Sequence, residues 1–430
     1  MSGITFNASW DQTQLLSELE EVAATLQIDQ PPHFPKTPPR KIGRILYLPV
    51  EIASRELPAK AQLAGEMARR GFQVVIGAAW NVFVELYRGL PPGLVFLKTL
   101  NAQDANNMHL FQQRGHIVAA LNEEAFGLLP EAWLYRTEMN DQALRLADMI
   151  CAQGERSAAV LRKISDNKVS VTGNPRAATE KNAGGEEILV CMMAGNINGY
   201  LPFPSYMEIA LKALGKNDGD ALRLMQEQIA HECEHMSLML ESIDALSQRF
   251  PNRQIRVRPH PAENRSVYET SENVVLDDSR PLTESLQNAA VVVFLSGCGS
   301  GLESYLSEVP GVRVGSGGHG ISAELHLQAT SAEAVCDAVA AQLEAPRMVG
   351  SLAGHFAPVT LGDALDKLQT ENSQPLKIDM AETWKLRSEA FVPQGFHQNK
   401  FPDTSDEHIS KLVGRPVHRL GWNTWLVQAH

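Results

Sequence analysis

The chain has 430 residues, 44 % apolar and 20 % charged, enough for two cores and too many for one ordinary domain. Lysine plus arginine number 38 against 50 aspartates plus glutamates, a formal charge of −12, which excludes a general nucleic-acid binder with a basic face. The five cysteines (Cys151, Cys191, Cys233, Cys298 and Cys336) form no CxxC pair, which excludes a disulfide framework or a cysteine zinc site and points to a reducing cytosol.

Met1 to Ile28 lacks the basic start and apolar core of a signal peptide. The longest apolar runs, Ile188 to Ala194 and Ala289 to Leu295, are too short to cross a bilayer. The expectation is a cytoplasmic protein, with docking at the inner face of the cell membrane left open.

Residues 1–40 read as an arm and linker: Ser17 to Leu26 has helical composition, and Gln30 to Arg40 is proline-rich and extended. Strands and helices then alternate. Arg44 to Val50, Phe72 to Ile76, Leu94 to Leu97, His116 to Ala120, Ala147 to Cys151 and Val169 to Val171 read as strands. Ala59 to Arg70, Asp104 to Arg114 and Ser157 to Lys163 read as helices between them.

The polar stretch Ala178 to Gly185 marks a boundary. Beyond it, Glu187 to Met192, Ile255 to Arg258, Val274 to Leu276, Val291 to Leu295 and Val312 to Val314 read as strands. Asp220 to Phe250, Ser300 to Leu306 and Ala332 to Leu343 read as helices. After about residue 375 the pattern gives way to a mixture of helix and aromatic loops around Trp384, Trp422 and Trp425.

This alternation predicts an α/β protein with two parallel, doubly wound sheets. The expected domains are a Rossmann-like acceptor domain over 41–180, a Rossmann-like nucleotide-sugar domain over 181–375, and a tail over 376–430. Two such halves facing a cleft, with the tail packing back across, make the GT-B architecture.

Residues just past a strand's carboxyl end face the ligand crevice of a parallel sheet. Arg258-Pro259-His260-Pro261 follows a strand, and its prolines stiffen the turn. A guanidinium and an imidazole held there can bind a phosphate, although a stiff surface turn has the same sequence. Ser296-Gly297-Cys298-Gly299-Ser300-Gly301-Leu302-Glu303 follows the next long strand and opens a helix. Its glycines let amide groups approach a phosphate at a helix N-terminus, and Glu303 suits a ribose diol. A tight turn in which glycine is only steric is the plainer account.

Leu48 to Lys60 (LPVEIASRELPAK), Leu121-Asn122-Glu123-Glu124, Thr172-Gly173-Asn174-Pro175-Arg176 and Arg258 to Pro261 together resemble the bacterial surface carbohydrate biosynthesis proteins. More distantly they resemble GT-B transferases with a His-Pro motif, such as capsule Kdo transferases and bacterial sialyltransferases. The resemblance implies a nucleotide-sugar donor, best CMP-linked and Kdo-like, and a saccharide or lipid-linked acceptor. It puts His260 and Pro261 on the donor phosphate and Ser296, Ser300 and Glu303 along the nucleotide.

Glu51, Glu123 and Glu124 each follow a predicted strand and are candidates for deprotonating an acceptor hydroxyl or attacking the anomeric carbon. Helix capping, or pairing with Arg55 or Lys60, is the structural alternative. Arg55, Lys60, Asn174 and Arg176 are candidates for acceptor or phosphate contacts. Asn196, in the loop Ala194 to Gly199, and His319, in Gly315 to Gly320, are candidates on the donor side.

No cofactor or metal is expected. GT-B chemistry stabilises the leaving phosphate with side chains and a helix N-terminus, and Asp277-Asp278 lacks DxD spacing. His231-Glu232-Cys233-Glu234-His235 matches HExxH but reads as the polar face of a long helix without a third ligand. A sugar-nucleotide epimerase or hydrolase, and a non-catalytic subunit of a polysaccharide assembly complex, are the alternatives to a transferase.

Overall fold

The computed structural model describes residues 40–123, 139–165, 168–177, 181–182, 184–195, 197–199, 219–261, 263–277, 280–295, 298–315, 325–376, 380 and 400–429. These divide into two compact units, one taking the described residues before 178 together with those from 352 onward, the other those between.

The first unit opens with β1 (Arg40–Gly43) and β2 (Ile45–Val50). Then come α1 (Ala53–Arg69), β3 (Gln73–Ala78), α2 (Ala79–Tyr87), β4 (Leu94–Leu97), α3 (Ala102–Gln113) and β5 (Ile117–Leu121). After these come α4 (Asp141–Leu146), β6 (Met149–Ala152), α5 (Glu155–Ser165) and β7 (Val169–Val171).

The second unit holds β8 (Glu187–Cys191), α6 (Gly219–Arg249), β9 (Ile255–Arg258), β10 (Val274–Leu276), α7 (Leu282–Gln287) and β11 (Ala289–Leu295). It continues with α8 (Gly299–Leu306), β12 (Gly311–Val314), β13 (Leu327–Ala329) and α9 (Ala332–Glu344). The chain then returns to the first unit as α10 (Leu361–Asn372), β14 (Ser373–Leu376), α11 (Asp406–Val413), β15 (His418–Gly421) and β16 (Thr424–Val427).

The first sheet runs β15-β16-β3-β2-β4-β5-β6-β7. β3 through β7 pair in parallel, and β16 adds antiparallel to β3. Every residue of β2, β4, β5 and β6 is buried, which is why these strands read as unbroken apolar runs. Alternate side chains serve two cores. Leu46, Leu48 and Val50 pack with α1 and with Leu361, Leu365, Ile409 and Val413 of the returning chain. Ile45 and Tyr47 pack with α2 and α3.

The second sheet runs β10-β9-β8-β11-β12-β13, all parallel. In order of appearance its strands lie 3-2-1-4-5-6, the arrangement of the doubly wound nucleotide-binding fold. Met239, Ile243 and Leu246 of α6 cover one face with Val335 and Val339 of α9. The protein is thus α/β with two Rossmann-like units, the elements of the GT-B architecture.

The sequence reading ends the second domain at 375 and sets 376–430 apart. In the structure, the chain from Leu352 onward belongs to the first unit. The reason is packing: α10 and α11 complete the helical layer over α1, and the β16 edge pairs with β3. Trp425, read as part of an aromatic loop, is fully buried within β16. Close approach of the returning chain also explains two glycines. A Cβ on Gly154 would sit 2.3 Å from the His355 carbonyl oxygen, and one on Gly173 (φ +68°) 2.7 Å from the oxygens of Ala357 and Pro358.

Candidate functional site

In a parallel sheet the loops at the carboxyl ends of the strands share one edge, and a crevice opens where the strand order reverses. In the first sheet the reversal lies between β2 and β4. Glu51 directly follows β2, Lys98 directly follows β4, and Glu123 stands two residues past β5. Asn174 and Arg176 follow β7.

Glu56, in the first turn of α1, sits at the centre. Its carboxylate is fully buried and accepts the Glu51 and Ile52 backbone N–H groups, both at 3.1 Å, and Lys60 Nζ at 3.0 Å. Lys98 Nζ and Arg55 Nη2 each lie 3.5 Å away. The N-cap position, Ile52, has no capping side chain, so Glu56 reaching back over it does that work and aims Glu51. The helix therefore starts at Ala53, earlier than the sequence predicts, and runs through Pro58.

Lys60 Nζ also donates to the Pro49 carbonyl at 2.8 Å and lies 3.9 Å from Glu123 Oε1. Glu51 binds Lys98 Nζ at 2.7 Å and also Lys400, a residue of the returning chain. Arg176 Nη1 donates to the Glu123 carbonyl at 3.4 Å, and Asn174 Oδ1 accepts the Arg176 N–H at 3.0 Å.

These contacts split the carboxyls. Burial pushes Glu51 upward, but Lys98 and Lys400 outweigh it and leave the group lowered. Glu56 goes the same way and further: burial is outweighed by Lys60, Lys98 and Arg55, which hold it well below the usual range. Glu123 moves up. There burial wins over Lys60, and the charge on Glu56 adds to the rise.

In the second sheet the reversal lies between β8 and β11. Glu263 is fully buried and ties the loops after β8 and β9 together. It accepts the Ala194 N–H at 2.5 Å and the Tyr268 hydroxyl, and its own N–H donates to the His260 carbonyl at 2.8 Å. Asn264 N–H donates to the Asn198 carbonyl at 2.7 Å, and Asn198 Nδ2 returns a bond to the Asn264 carbonyl at 3.2 Å. This latch fixes the turn carrying His260 and Pro261, both of which are exposed.

Arg258 is spoken for within the fold. Its Nη1 donates to buried Asp277 at 3.0 Å and to the Arg280 carbonyl at 2.7 Å. Gly299 begins α8, and buried Ser300 donates from Oγ to Cys298 Sγ at 2.9 Å. Glu303 lies a turn further on and is partly exposed. Burial pushes the Cys191 thiol up to about 12 and raises Cys298, so neither is an activated nucleophile.

The HExxH histidines lie on α6 with ring centroids 3.9 Å apart. Burial first, then His231, pushes His235 down to about 4, and a Cβ on Gly315 would meet its Nε2 at 2.7 Å. Among the described residues no group of three or more metal-ligating side chains comes together.

The structure thus brings Glu51, Arg55, Lys60, Glu123, Asn174 and Arg176 to one edge of the first sheet. It sets His260, Pro261, Gly299, Ser300 and Glu303 after the β9 and β11 ends of the second. Glu124, Asn196, Ser296, Gly297 and His319 lie outside the described residues. Sequence reasoning passed over Lys98 and Glu263, although one directly follows an apolar run and the other stands three residues past His260. Lys400 has no local signal.

No protein-family model and no curated protein matches this sequence. Among solved structures, a Listeria monocytogenes protein assigned as a UDP-N-acetylglucosamine 2-epimerase is similar over 82 % of this chain and 100 % of its own. The identity is 14 % and the TM-score 0.48. MnaA of S. aureus, solved with UDP, is similar over 81 % of this chain and 95 % of its own, at 11 % identity and a TM-score of 0.44. The glycotransferase of kitacinnamycin is similar over 77 % of this chain and 95 % of its own, at 13 % identity and a TM-score of 0.39.

Proposed function

We propose that this protein is a metal-independent GT-B glycosyltransferase of surface polysaccharide biosynthesis, acting with a CMP-linked, Kdo-like donor on a saccharide or lipid-linked acceptor. The observation that carries the reading is the placement of two carboxyls at the switch point of the first sheet, Glu51 with Lys98 Nζ at 2.7 Å and Glu123 with Lys60 Nζ at 3.9 Å. The lysines beside Glu51 lower it and burial raises Glu123, so the two environments push the carboxyls apart.

In this reading Glu123 takes the proton from the acceptor hydroxyl, and Lys60, 3.9 Å away, favours the ionised carboxylate that can accept it. Glu51 orients the acceptor. The donor nucleotide sits after β9 and β11 of the second sheet. His260 and the amides at the start of α8 receive the phosphate charge that grows as the glycosidic bond breaks. Glu303 takes ribose hydroxyls.

The same pair of carboxyls also favours a second reading, a sugar-nucleotide epimerase or hydrolase. Two carboxyls at one crevice, one lowered and one raised, can remove and return a proton at a sugar carbon.

Incubation with CMP-, UDP- and GDP-sugars, with and without a saccharide acceptor, tests both. Nucleotide release that requires the acceptor supports the transferase. Release or isomerisation without acceptor supports the second reading. No turnover under either condition contradicts both.

A further inference from the structure

We propose that the first unit carries a subsite for an acidic saccharide, with Lys98 and Lys400 receiving the negative group and Trp80 and Trp422 stacking against the sugar ring. Its role as the acceptor subsite rests on the transferase reading; the binding itself does not.

Two observations carry it. The first is charge. Around the switch point of the first sheet stand Arg55, Lys60, Lys98, Arg176 and Lys400, against Glu51, Glu56, Glu123 and Asp104. Burial raises two of those four carboxyls, Glu123 and Asp104. Among the described residues five cations thus face four carboxyls here, in a chain with a formal charge of −12. The reachable part is the Lys98–Glu51–Lys400 trio: their side chains are 14 %, 28 % and 18 % exposed, whereas Glu56, Lys60 and Glu123 are 5 % exposed or less. Both ammonium groups share the single carboxylate of Glu51, so an incoming carboxylate or phosphate finds donors already gathered.

The second observation is aromatic. Trp80 lies at the start of α2, just past the carboxyl end of β3, and β3 is the strand beside β2, with Ala78 opposite Val50. Trp422 lies in the turn between β15 and β16. The two rings are 5.9 Å apart and tilted by 30°. Asn81 Nδ2 holds the Trp422 carbonyl at 2.8 Å, which locks the pair. Phe401, next in sequence to Lys400, has its ring 6.5 Å from Trp422. The contacts close a circuit from Glu51 through Lys400, Phe401, Trp422 and Trp80 back to the β2–β3 edge. Both tryptophans are partly exposed at the rim of the core rather than sealed inside it. The negative face of an aromatic ring attracts the polarised C–H groups on one face of a pyranose. Cations and rings that follow adjoining strands of one sheet edge select a sugar that bears a negative group.

The test is isothermal titration and tryptophan quenching with trigalacturonate and with maltotriose, on wild type, Trp80→Leu and Lys400→Gln. Trp80→Leu keeps an apolar side chain at the rim, and the unfolding midpoint confirms folding of each variant. The expected result is trigalacturonate binding at least ten-fold tighter than maltotriose, about ten-fold weaker in each variant, and weakening with salt in wild type more than in Lys400→Gln. Equal binding of the two saccharides, no binding of trigalacturonate, or binding indifferent to both substitutions overturns the proposal. A nucleotide response that persists while trigalacturonate fails to bind defeats this subsite alone. Trigalacturonate binding without any nucleotide response defeats the transferase reading and leaves the subsite standing.

Discussion

Lys60 Nζ stands 3.0 Å from Glu56 Oε2 with almost no solvent exposure on either side chain, and the same ammonium lies 3.9 Å from Glu123. One cation therefore joins a carboxylate that must stay ionised to a carboxyl that burial pushes toward protonation. The stability and the proposed chemistry of the first unit both pass through this contact.

Removing Glu56 leaves Lys60 buried without its nearest counter-charge and strips the cap from the start of α1. Loss of one partner of a buried pair costs about 3–5 kcal/mol. Glu56→Ala is expected to unfold at markedly lower denaturant than wild type. An unchanged midpoint would show that the pair contributes nothing.

Glu123 should behave in the opposite way. A carboxyl whose folded pKa is raised costs stability above that value, because the folded state must ionise a group it holds better protonated. Glu123→Gln is expected to raise the thermal midpoint at pH 7, with the gain shrinking as pH falls and Glu123 takes up its proton. Turnover should be lost at every pH. A variant that is less stable at pH 7 than at pH 4, relative to wild type, would contradict the raised value.

Glu51 and Glu56 set the acid limb. Their folded values lie below 4.5, so their ion pairs stabilise fully above that pH and are lost as pH falls through the folded values. Denaturant titrations from pH 7 to pH 3 should show stability falling below about 4.5. The fall should be shallower in Glu51→Gln.

Much of the fold is legible in the sequence because its central strands are buried on both faces. Runs such as Leu94 to Leu97 and Val291 to Leu295 admit few other readings. The chain order of those strands also places the residues that follow them on one edge, which is how Glu51, Glu123 and Arg176 can be found. What the sequence hides is set by tertiary contact. Nothing near Lys400 announces a partner at Glu51, and Trp425 becomes a core residue only because β16 pairs with β3. The start of α1 is hidden because its cap comes from within the helix, at Glu56, rather than from Ile52.

Gly173 is legible as a turn glycine, but its main constraint is the returning chain. Gly173→Ala adds a Cβ against the carbonyls of Ala357 and Pro358 at a positive φ. Overpacking and strain of this kind cost about 1–3 kcal/mol. A lower thermal midpoint is expected, whereas a neutral outcome would mean that the 352–360 segment yields freely.

Glu263 acts on the second sheet as Glu56 does on the first. Glu263→Ala removes the acceptor for Ala194 and Tyr268 and should loosen the His260 turn. Nucleotide-induced stabilisation is expected to shrink in this variant even where the fold survives. A full nucleotide response would show that the latch plays no part in binding.

The most direct measurement is a thermal shift with CMP, CDP, UDP and GDP on wild type and His260→Ala. A ligand that binds only the folded state raises the midpoint in proportion to the logarithm of its concentration over Kd. The account predicts stabilisation by a cytidine nucleotide that disappears in His260→Ala while the unliganded midpoint stays close to wild type. No shift with any nucleotide, or a shift untouched by the substitution, would contradict it.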